Sequence, residues 1–138
     1  MLEKGYKKLI YARPRLQEKN TFAQKERLNA FTAACDNAKI RYVVTEFPDA
    51  AREVEECMPC AFICPTDIYA IKLLSVAEKY KAGIVGFDNI RLIDELDLKL
   101  DSVSYDVIST AKTAVDHIVN GKPVLGSIPY QLVKRGSI

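Results

Sequence analysis

The chain of 138 residues has no tryptophan, one histidine, and only six glycines and six prolines. It also lacks any apolar run near the ~18 residues that a membrane-spanning helix requires, so we expect no such helix. Its first residues do not resemble a secretory signal peptide, because a charged stretch leads into only four apolar residues at 9–12. These absences together predict a cytoplasmic protein.

An excess of charge of either sign is lacking as well. The net charge is +2, from 20 Lys and Arg against 18 Asp and Glu, and both signs are spread along the chain. A nucleic-acid-binding protein usually carries a basic face, which this balance does not indicate. We interpret the basic residues near the start as a solvated edge of the first strand. A composition of 49% hydrophobic and 28% charged residues is typical of one globular domain, or of one domain and part of a second.

Motifs for catalysis and metal binding are absent too. The sequence has neither G-x-G-x-x-G nor a Walker loop, and His117 lies on an apolar helical segment without a nucleophile motif. Cys57 and Cys60 form a C-x-x-C pair, but Cys60 leads into a strand, whereas a redox pair opens a helix. A zinc site would need four ligands, and His117 is far away in sequence. We therefore predict reduced, partly buried thiols, no metal, no cofactor, and a protein that is not an enzyme.

What the sequence does contain is a regular alternation of strand and helix patterns. Apolar runs predict strands at 8–12, 41–46, 61–64 and 84–87. Helical stripes predict helices at about 21–38, 49–58 and 67–80, the first with an apolar face formed by residues 23, 30, 31, 34, 35 and 38. Such alternation predicts an α/β fold, a doubly wound parallel sheet with helices on both faces. After a polar loop we predict a strand at 102–105, a helix capped by Asp106, and an edge strand at 128–135 that contains Pro129.

A candidate ligand site follows from this fold. Ligands of open α/β sheets bind outside the carboxyl ends of the strands, which selects residues 13–15, 65–67 and 88–89. We expect Arg27, on the first helix, to point to the same rim. A guanidinium that faces the carboxylates of Asp67 and Asp88 suits the binding of several ligand hydroxyls through charge-assisted hydrogen bonds. The alternative is structural, with Asp67 as a helix cap, Asp88 as a turn residue and Arg27 as a surface charge.

Four segments of the sequence carry a family resemblance: FICPTDIYA at 62–70, GIVGFDNI at 83–90, LDSVSYD at 100–106 and IPYQLVKRGS at 128–137. In order and spacing they resemble the LacI/GalR family of bacterial transcriptional repressors. RLNAF at 27–31 is similar to the family's Arg-x-x-Gly-Phe on the first helix of the same subdomain. Any one of these motifs alone would be weak, whereas several in register over most of the chain are specific.

The resemblance implies a periplasmic-binding-protein-like lobe, which binds a small effector, often a sugar or a nucleobase, between two lobes. Residues 1–101 would form the C-terminal lobe, 102–124 a crossover strand and helix of the missing N-terminal lobe, and 125–138 the strand that returns. Operator DNA would be bound through a headpiece absent from this chain. The alternative within the same architecture is a stand-alone solute- or sugar-binding protein, or a sugar-binding enzyme lobe, because a fold does not determine a function.

The resemblance also implies which residues bind the effector. By position, Arg27 and Asp88 match family residues that hydrogen-bond effector hydroxyls. Thr66 takes the place of a residue that is often Asn, and Tyr105 stands where a side chain lines the cleft. Ala30 replaces the usual Gly of the first-helix motif. The departures at Ala30 and Thr66 leave the identity of the effector open.

Finally, the resemblance implies a homodimer or higher oligomer. The contact residues would lie on the helix that begins near residue 67 and in the segment after residue 89: Ile68, Tyr69, Lys72, Leu92 and Ile93. For Ile71 and Leu74 of the same helix we expect burial in the core. The helix of residues 108–118 should expose a second apolar face that folds back, swaps between protomers or pairs with a copy of itself.

Overall fold

The structure is a computed structural model that describes residues 5–15, 21–55, 58–121 and 129–138. Its six strands form one sheet in the order β2-β1-β3-β4-β5-β6. The strands are β1 (Lys8–Arg13), β2 (Arg41–Glu46), β3 (Cys60–Ile63), β4 (Gly83–Phe87), β5 (Asp101–Tyr105) and β6 (Tyr130–Val133). The helices are α1 (Phe22–Ala38), α2 (Ala50–Glu55), α3 (Asp67–Tyr80), α4 (Leu92–Glu95) and α5 (Val107–Asn120).

The strand order explains where a ligand can bind. β1 to β5 are parallel, and only β6 at the edge is antiparallel to its neighbour. The chain places β2 on one side of β1 and β3 on the other, so the crossovers put helices on both faces and a crevice opens at the carboxyl ends of β1 and β3. The predicted doubly wound α/β fold is confirmed, and so is the edge position of the last strand. Residue 128, where that strand was predicted to begin, lies outside the described residues.

The main core lies under α2, α3 and α4. Within the described part of the chain, 13 buried apolar residues form this cluster, among them Ile10, Phe62 and Ile84. The cluster under α1 contains three, Leu9, Cys35 and Ala61. The two faces of the sheet therefore bury very different amounts of apolar surface.

Helix α1 forms where it was predicted but buries less than expected. Thr21 and Gln24 make a capping box at its start, and Lys39 ends it with a φ of 54°. Cys35 is its one buried residue, Phe31 is half-buried, and the alanines at 23, 30, 34 and 38 are exposed. The predicted apolar face was wrong at the alanine positions, because alanine has too little apolar surface to orient a helix. The prediction holds at Phe31, which packs on the sheet with its ring centroid 5.0 Å from that of Tyr11.

The predicted boundary between lobes also needs correction. Residues 102–105 were assigned to a second lobe, but they lie in β5, where Ser102 is aligned with Gly86 of β4 and with Val133 of β6. Asp101 and Ser102 are buried, so this strand is integral to the sheet. Helix α5 begins at the predicted cap, since Asp106 Oδ1 accepts a hydrogen bond from the Ser109 amide at 2.9 Å. None of its residues is buried. The assignment of α5 to another lobe stays a prediction.

Cys35, Cys60 and Cys64 are buried, and Cys35 and Cys64 are free thiols. Burial raises the pKa of the thiols of Cys35 and Cys64, so both are protonated near neutral pH. Cys57, the other half of the C-x-x-C pair, lies outside the described residues. Within those residues no group of metal-ligating side chains is arranged to hold an ion, and no helix is both long enough and apolar enough to cross a bilayer.

Candidate functional site

The centre of the candidate site is an ion pair between α1 and the end of β4. Arg27 Nη2 donates to Asp88 Oδ1 at 2.8 Å, and Arg27 Nη1 donates to the carbonyl of Pro65 at 2.6 Å. The guanidinium also lies over the ring of Phe87, 4.8 Å from its centroid. The two charged side chains are 20% and 29% exposed, so both are held in place and both are open to solvent. The structure thus brings Arg27 and Asp88 together at the carboxyl edge of the sheet, as the sequence predicts.

The loop that carries Asp88 has an uncommon backbone. Asp88 has a φ of 98° and Asn89 a φ of 48°, a region in which short polar side chains are tolerated best. Three amides of this loop are bonded inward: that of Asp88 to the carbonyl of Val103 at 3.0 Å, that of Asn89 to Ser102 Oγ at 3.0 Å, and that of Ile90 to Asp67 Oδ2 at 2.8 Å. These bonds hold the backbone from which the Asp88 carboxylate projects.

Asp67 is a buried support of that loop. Besides the Ile90 amide it accepts a hydrogen bond from the Ser102 hydroxyl at 2.7 Å. Burial raises the pKa of this carboxyl, and the two hydrogen bonds partly offset the effect. A Cβ at Gly86 would collide with Asp67 Oδ1, so only glycine allows β4 to approach α3 this closely. Asp67 therefore positions the rim and does not face the crevice, and it follows the helix cap, which is Thr66.

The other two predicted effector residues lie at the same edge of the sheet as the ion pair. Thr66 is half-buried next to Pro65, and its side chain makes no hydrogen bond to the backbone of α3. Tyr105 ends β5, two residues after the partner of the Asp88 amide, and is aligned with Tyr130. Tyr105, Tyr130 and Ile108 line a groove of about 480 Å³. Thr66 thus lies beside the pair, and Tyr105 lines a neighbouring groove at the same edge.

The remaining rim candidates have other surroundings. Arg13 pairs with Glu46 of the edge strand β2 at 3.4 Å, and Arg15 is exposed. Sequence reasoning did not identify the Pro65 carbonyl or the Phe87 ring as partners of Arg27. The carbonyl has no residue signature, whereas the position of Phe87 directly before Asp88 was the available signal.

The predicted dimer residues differ in how far they are exposed to solvent. Ile93 is fully buried in the core of this chain, so its prediction as a dimer contact was wrong. On a single-turn helix adjacent residues face different directions, and Ile93 takes the inward one. Ile68 is 46% exposed and Leu92 37% exposed. Lys72 Nζ lies 5.5 Å from the centroid of the half-buried Tyr69 ring.

Two neighbours of these residues, Ile71 and Leu74, are partly buried and pack against the core, as predicted. Helix α3 therefore has an inner side that serves the sheet and an outer side that carries Ile68 and Lys72.

The sheet order and the helices on both of its faces define a class of fold, one lobe of a periplasmic-binding-protein-like domain. No protein-family model matches the sequence, and no curated protein matches it. Solved structures do match, among them three LacI-family transcriptional regulators. A regulatory protein from Corynebacterium glutamicum is 17% identical with a TM-score of 0.78, and the match covers 99% of this chain and 60% of that one.

Two further matches were solved with sugars. A regulator from Arthrobacter sp. FB24 in complex with lactose is 18% identical with a TM-score of 0.73, over 99% of this chain and 58% of that one. A periplasmic binding protein/LacI transcriptional regulator from Alkaliphilus metalliredigens QYMF, complexed with D-xylulofuranose, is 18% identical with a TM-score of 0.71 and has the same coverage. The predicted resemblance is confirmed: this chain has the fold of LacI-family effector domains and spans less than two thirds of the length of these proteins.

Proposed function

We propose that this chain is the C-terminal lobe of the effector-binding domain of a LacI-family transcriptional repressor. Its effector would be a small polyhydroxylated molecule, a sugar or a related metabolite, and the protein would be cytoplasmic and not an enzyme. The observation that carries this proposal is the ion pair of Arg27 and Asp88, half-open at the carboxyl edge of a sheet with this fold.

The pair has the chemistry to bind adjacent hydroxyl groups. The Asp88 carboxylate accepts a hydrogen bond from one hydroxyl, and the Arg27 guanidinium donates to the oxygen of the next. Hydrogen bonds with one ionised partner are roughly twice as strong as neutral ones. The Thr66 hydroxyl adds a donor and acceptor, and Tyr105 supplies a flat apolar surface against which a sugar ring packs.

The repressor function depends on parts that lie outside this chain. The matched regulators are longer than this chain, which covers 58–60% of them. We assign operator binding to a headpiece and closure of the crevice to a second lobe. The exposed apolar face of α5, with Val107 61%, Ile108 69% and Val115 57% exposed, is the surface on which that lobe would pack.

We further propose a homodimer that uses the outer side of α3 together with α4. Four of the predicted residues are available there, Ile68, Tyr69, Lys72 and Leu92, and the exposed Leu96 extends the apolar patch. A closed two-fold dimer covers one such patch on each protomer. Light scattering at ~100 µM tests this, because even micromolar association would be nearly complete at that concentration. A strict monomer would contradict the proposed dimer of this chain.

The effector site is tested by NMR titration of the ¹⁵N-labelled chain, a method suited to the weak binding of a single lobe. D-Xylose, D-glucose, lactose and adenine serve as probes. We expect a sugar to shift the amides of residues 66 and 88–90, and the shifts to be lost in Arg27→Met and Asp88→Asn. Arg13→Met is the matched control, because Arg13 pairs with Glu46 at the edge strand and should leave the shifts intact.

If adenine alone shifts these amides, the effector belongs to the nucleobase class and the sugar proposal fails. If no probe shifts them, or if the shifts persist in Asp88→Asn, the site assignment fails.

A further inference from the structure

Arg135, in the segment after β6, connects parts of the molecule that are distant in sequence. Its guanidinium donates to Asp94 Oδ1 from Nε at 3.1 Å and from Nη2 at 2.7 Å, and Nη2 also donates to Asn89 Oδ1 at 2.9 Å. Nη1 donates to the carbonyl of Leu100 at 3.2 Å. The side chain is only 17% exposed. One guanidinium therefore contacts the loop of the candidate site, helix α4 and the segment before β5.

The backbone that carries Arg135 is itself anchored to the sheet. Asp101 Oδ1 accepts hydrogen bonds from three successive amides, those of Arg135 at 2.5 Å, Gly136 at 2.7 Å and Ser137 at 3.2 Å. The Ser137 hydroxyl donates to the carbonyl of Ile84 in β4 at 2.6 Å. The Arg135 side chain thus projects from a fixed base.

The contact with Asn89 matters because of the loop's backbone. Asp88 and Asn89 both have positive φ, a conformation that persists only where the surroundings hold it. Asp67 and Ser102 hold the amides of Ile90 and Asn89, whereas Arg135 holds the Asn89 side chain. The loop next to Asp88 is thus held both through its backbone and through the Asn89 side chain.

We propose that Arg135 is a positioning residue of the candidate ligand site. By holding Asn89 it keeps Asp88 turned toward Arg27, and through Asp94 it links this loop to α4, which carries Leu92 of the proposed dimer surface. The ligand that benefits rests on the proposed function, whereas the effect of Arg135 on the loop is measurable without any ligand.

Amide hydrogen exchange of the full chain, followed by NMR, tests this role. In Arg135→Gln we expect the amides of Asn89 and Ile90 to exchange at least ten-fold faster, while amides of β3 such as that of Phe62 change less than two-fold. Arg135→Lys keeps the charge but cannot bridge both acceptors, so we expect an intermediate, roughly three-fold increase. Arg91→Gln is the matched control, because Arg91 pairs with Glu95 on the exposed side of α4 and should leave the loop unchanged.

Equal acceleration in β3 and in the loop would show a general loss of stability and would overturn the positioning role. Unchanged exchange at Asn89 and Ile90 would overturn it as well. Should Arg135→Gln fail to fold, Asp94→Ala removes one acceptor of Arg135, and exchange at Asn89 that is as slow as in the unaltered chain would refute the link to α4. If a sugar titration of the wild-type chain shows no binding, the proposed ligand is refuted. The exchange result does not depend on that ligand, so the two failures are distinguishable.

Discussion

The face of the sheet under α2, α3 and α4 and the face under α1 differ in how each helix is attached. On the first face, apolar side chains such as Phe62 and Leu73 are buried in one continuous cluster. On the second, α1 is attached by Cys35, by the ring of Phe31 and by the two hydrogen bonds of Arg27. The candidate ligand site lies where these regions meet. The Arg27–Asp88 pair therefore has two roles: it attaches α1 to the sheet, and it is the proposed binding group.

The largest expected effect comes from truncating the same residue type in both regions. Phe62→Ala removes a fully buried ring of the main core and should lower the free energy of unfolding by about 3–5 kcal/mol. Phe22→Ala removes a ring of α1 that is 79% exposed. It should change the free energy of unfolding by less than about 0.5 kcal/mol. Urea denaturation measures both. Similar losses for the two variants would show that the regions are packed alike.

A smaller effect on the free energy of unfolding is expected at the close contact between β4 and α3. Gly86→Ala places a methyl group against Asp67 and should lower the free energy of unfolding by about 1–3 kcal/mol. In an Asp67→Ala background the same substitution should cost much less, because the colliding oxygen is gone and neighbouring sites are not additive. A double-mutant cycle with urea denaturation measures the coupling. Strict additivity would contradict the close approach of β4 and α3.

The hydrogen bonds that attach α1 to the sheet should contribute less still to the free energy of unfolding. Arg27→Met removes hydrogen bonds to Asp88 and to the Pro65 carbonyl, and we expect a loss of about 1 kcal/mol because the pair is partly exposed. The matched variant Arg91→Met removes an exposed pair with Glu95 and should cost less than about 0.5 kcal/mol. The helix signal in the far-ultraviolet circular dichroism of the whole chain provides a second readout. Equal losses would show that Arg27 does not attach α1.

The smallest effect is a pair of opposite pH dependences. Burial raises the pKa of Asp67, so the folded chain binds its proton more tightly than the unfolded chain does. The contribution of Asp67 to the free energy of unfolding therefore falls as pH rises from the ordinary Asp value, about 3.9, through the raised one. Hydrogen bonds from Ser109 lower the pKa of Asp106, so its contribution is present above the ordinary value and is lost as pH falls through the lowered one.

Difference curves against Asp67→Asn and Asp106→Asn, each measured between pH 2.5 and 6, which brackets the ordinary carboxyl pKa, separate the two contributions. The slopes should have opposite signs. Equal signs would contradict the assigned environments of the two carboxyls.

Much of the fold could be predicted because apolar runs bounded by polar loops leave few alternatives to a parallel sheet. Asp106 was identifiable as a helix cap from residue type and position alone. The rotation of α1 was not predictable, since a stripe of alanines does not specify which side is buried. The inward direction of Ile93 was not predictable either, because a single turn of helix has no periodicity.

The candidate site was predictable in part. Arg27 and Asp88 are 61 residues apart, and only the carboxyl-edge rule together with the family motifs placed them at one rim. No comparable rule identifies the residues that hold the site in place. Arg135 reaches Asn89 across 46 residues, and the carbonyl of Pro65 has no residue signature. Contacts of this kind depend on how loops pack, which periodicity does not encode.

The packing of Tyr11 against Phe31 has a spectroscopic consequence. The chain has seven tyrosines and no tryptophan, so tyrosine dominates its near-ultraviolet absorbance. Burial raises the pKa of Tyr11 to about 12, partly opposed by the nearby charge of Arg27, and its hydroxyl has no hydrogen-bond partner among the described residues. Tyr11 should therefore ionise later in an alkaline titration than an exposed tyrosine. That late absorbance step is a built-in optical signal of whether α1 is docked on the sheet.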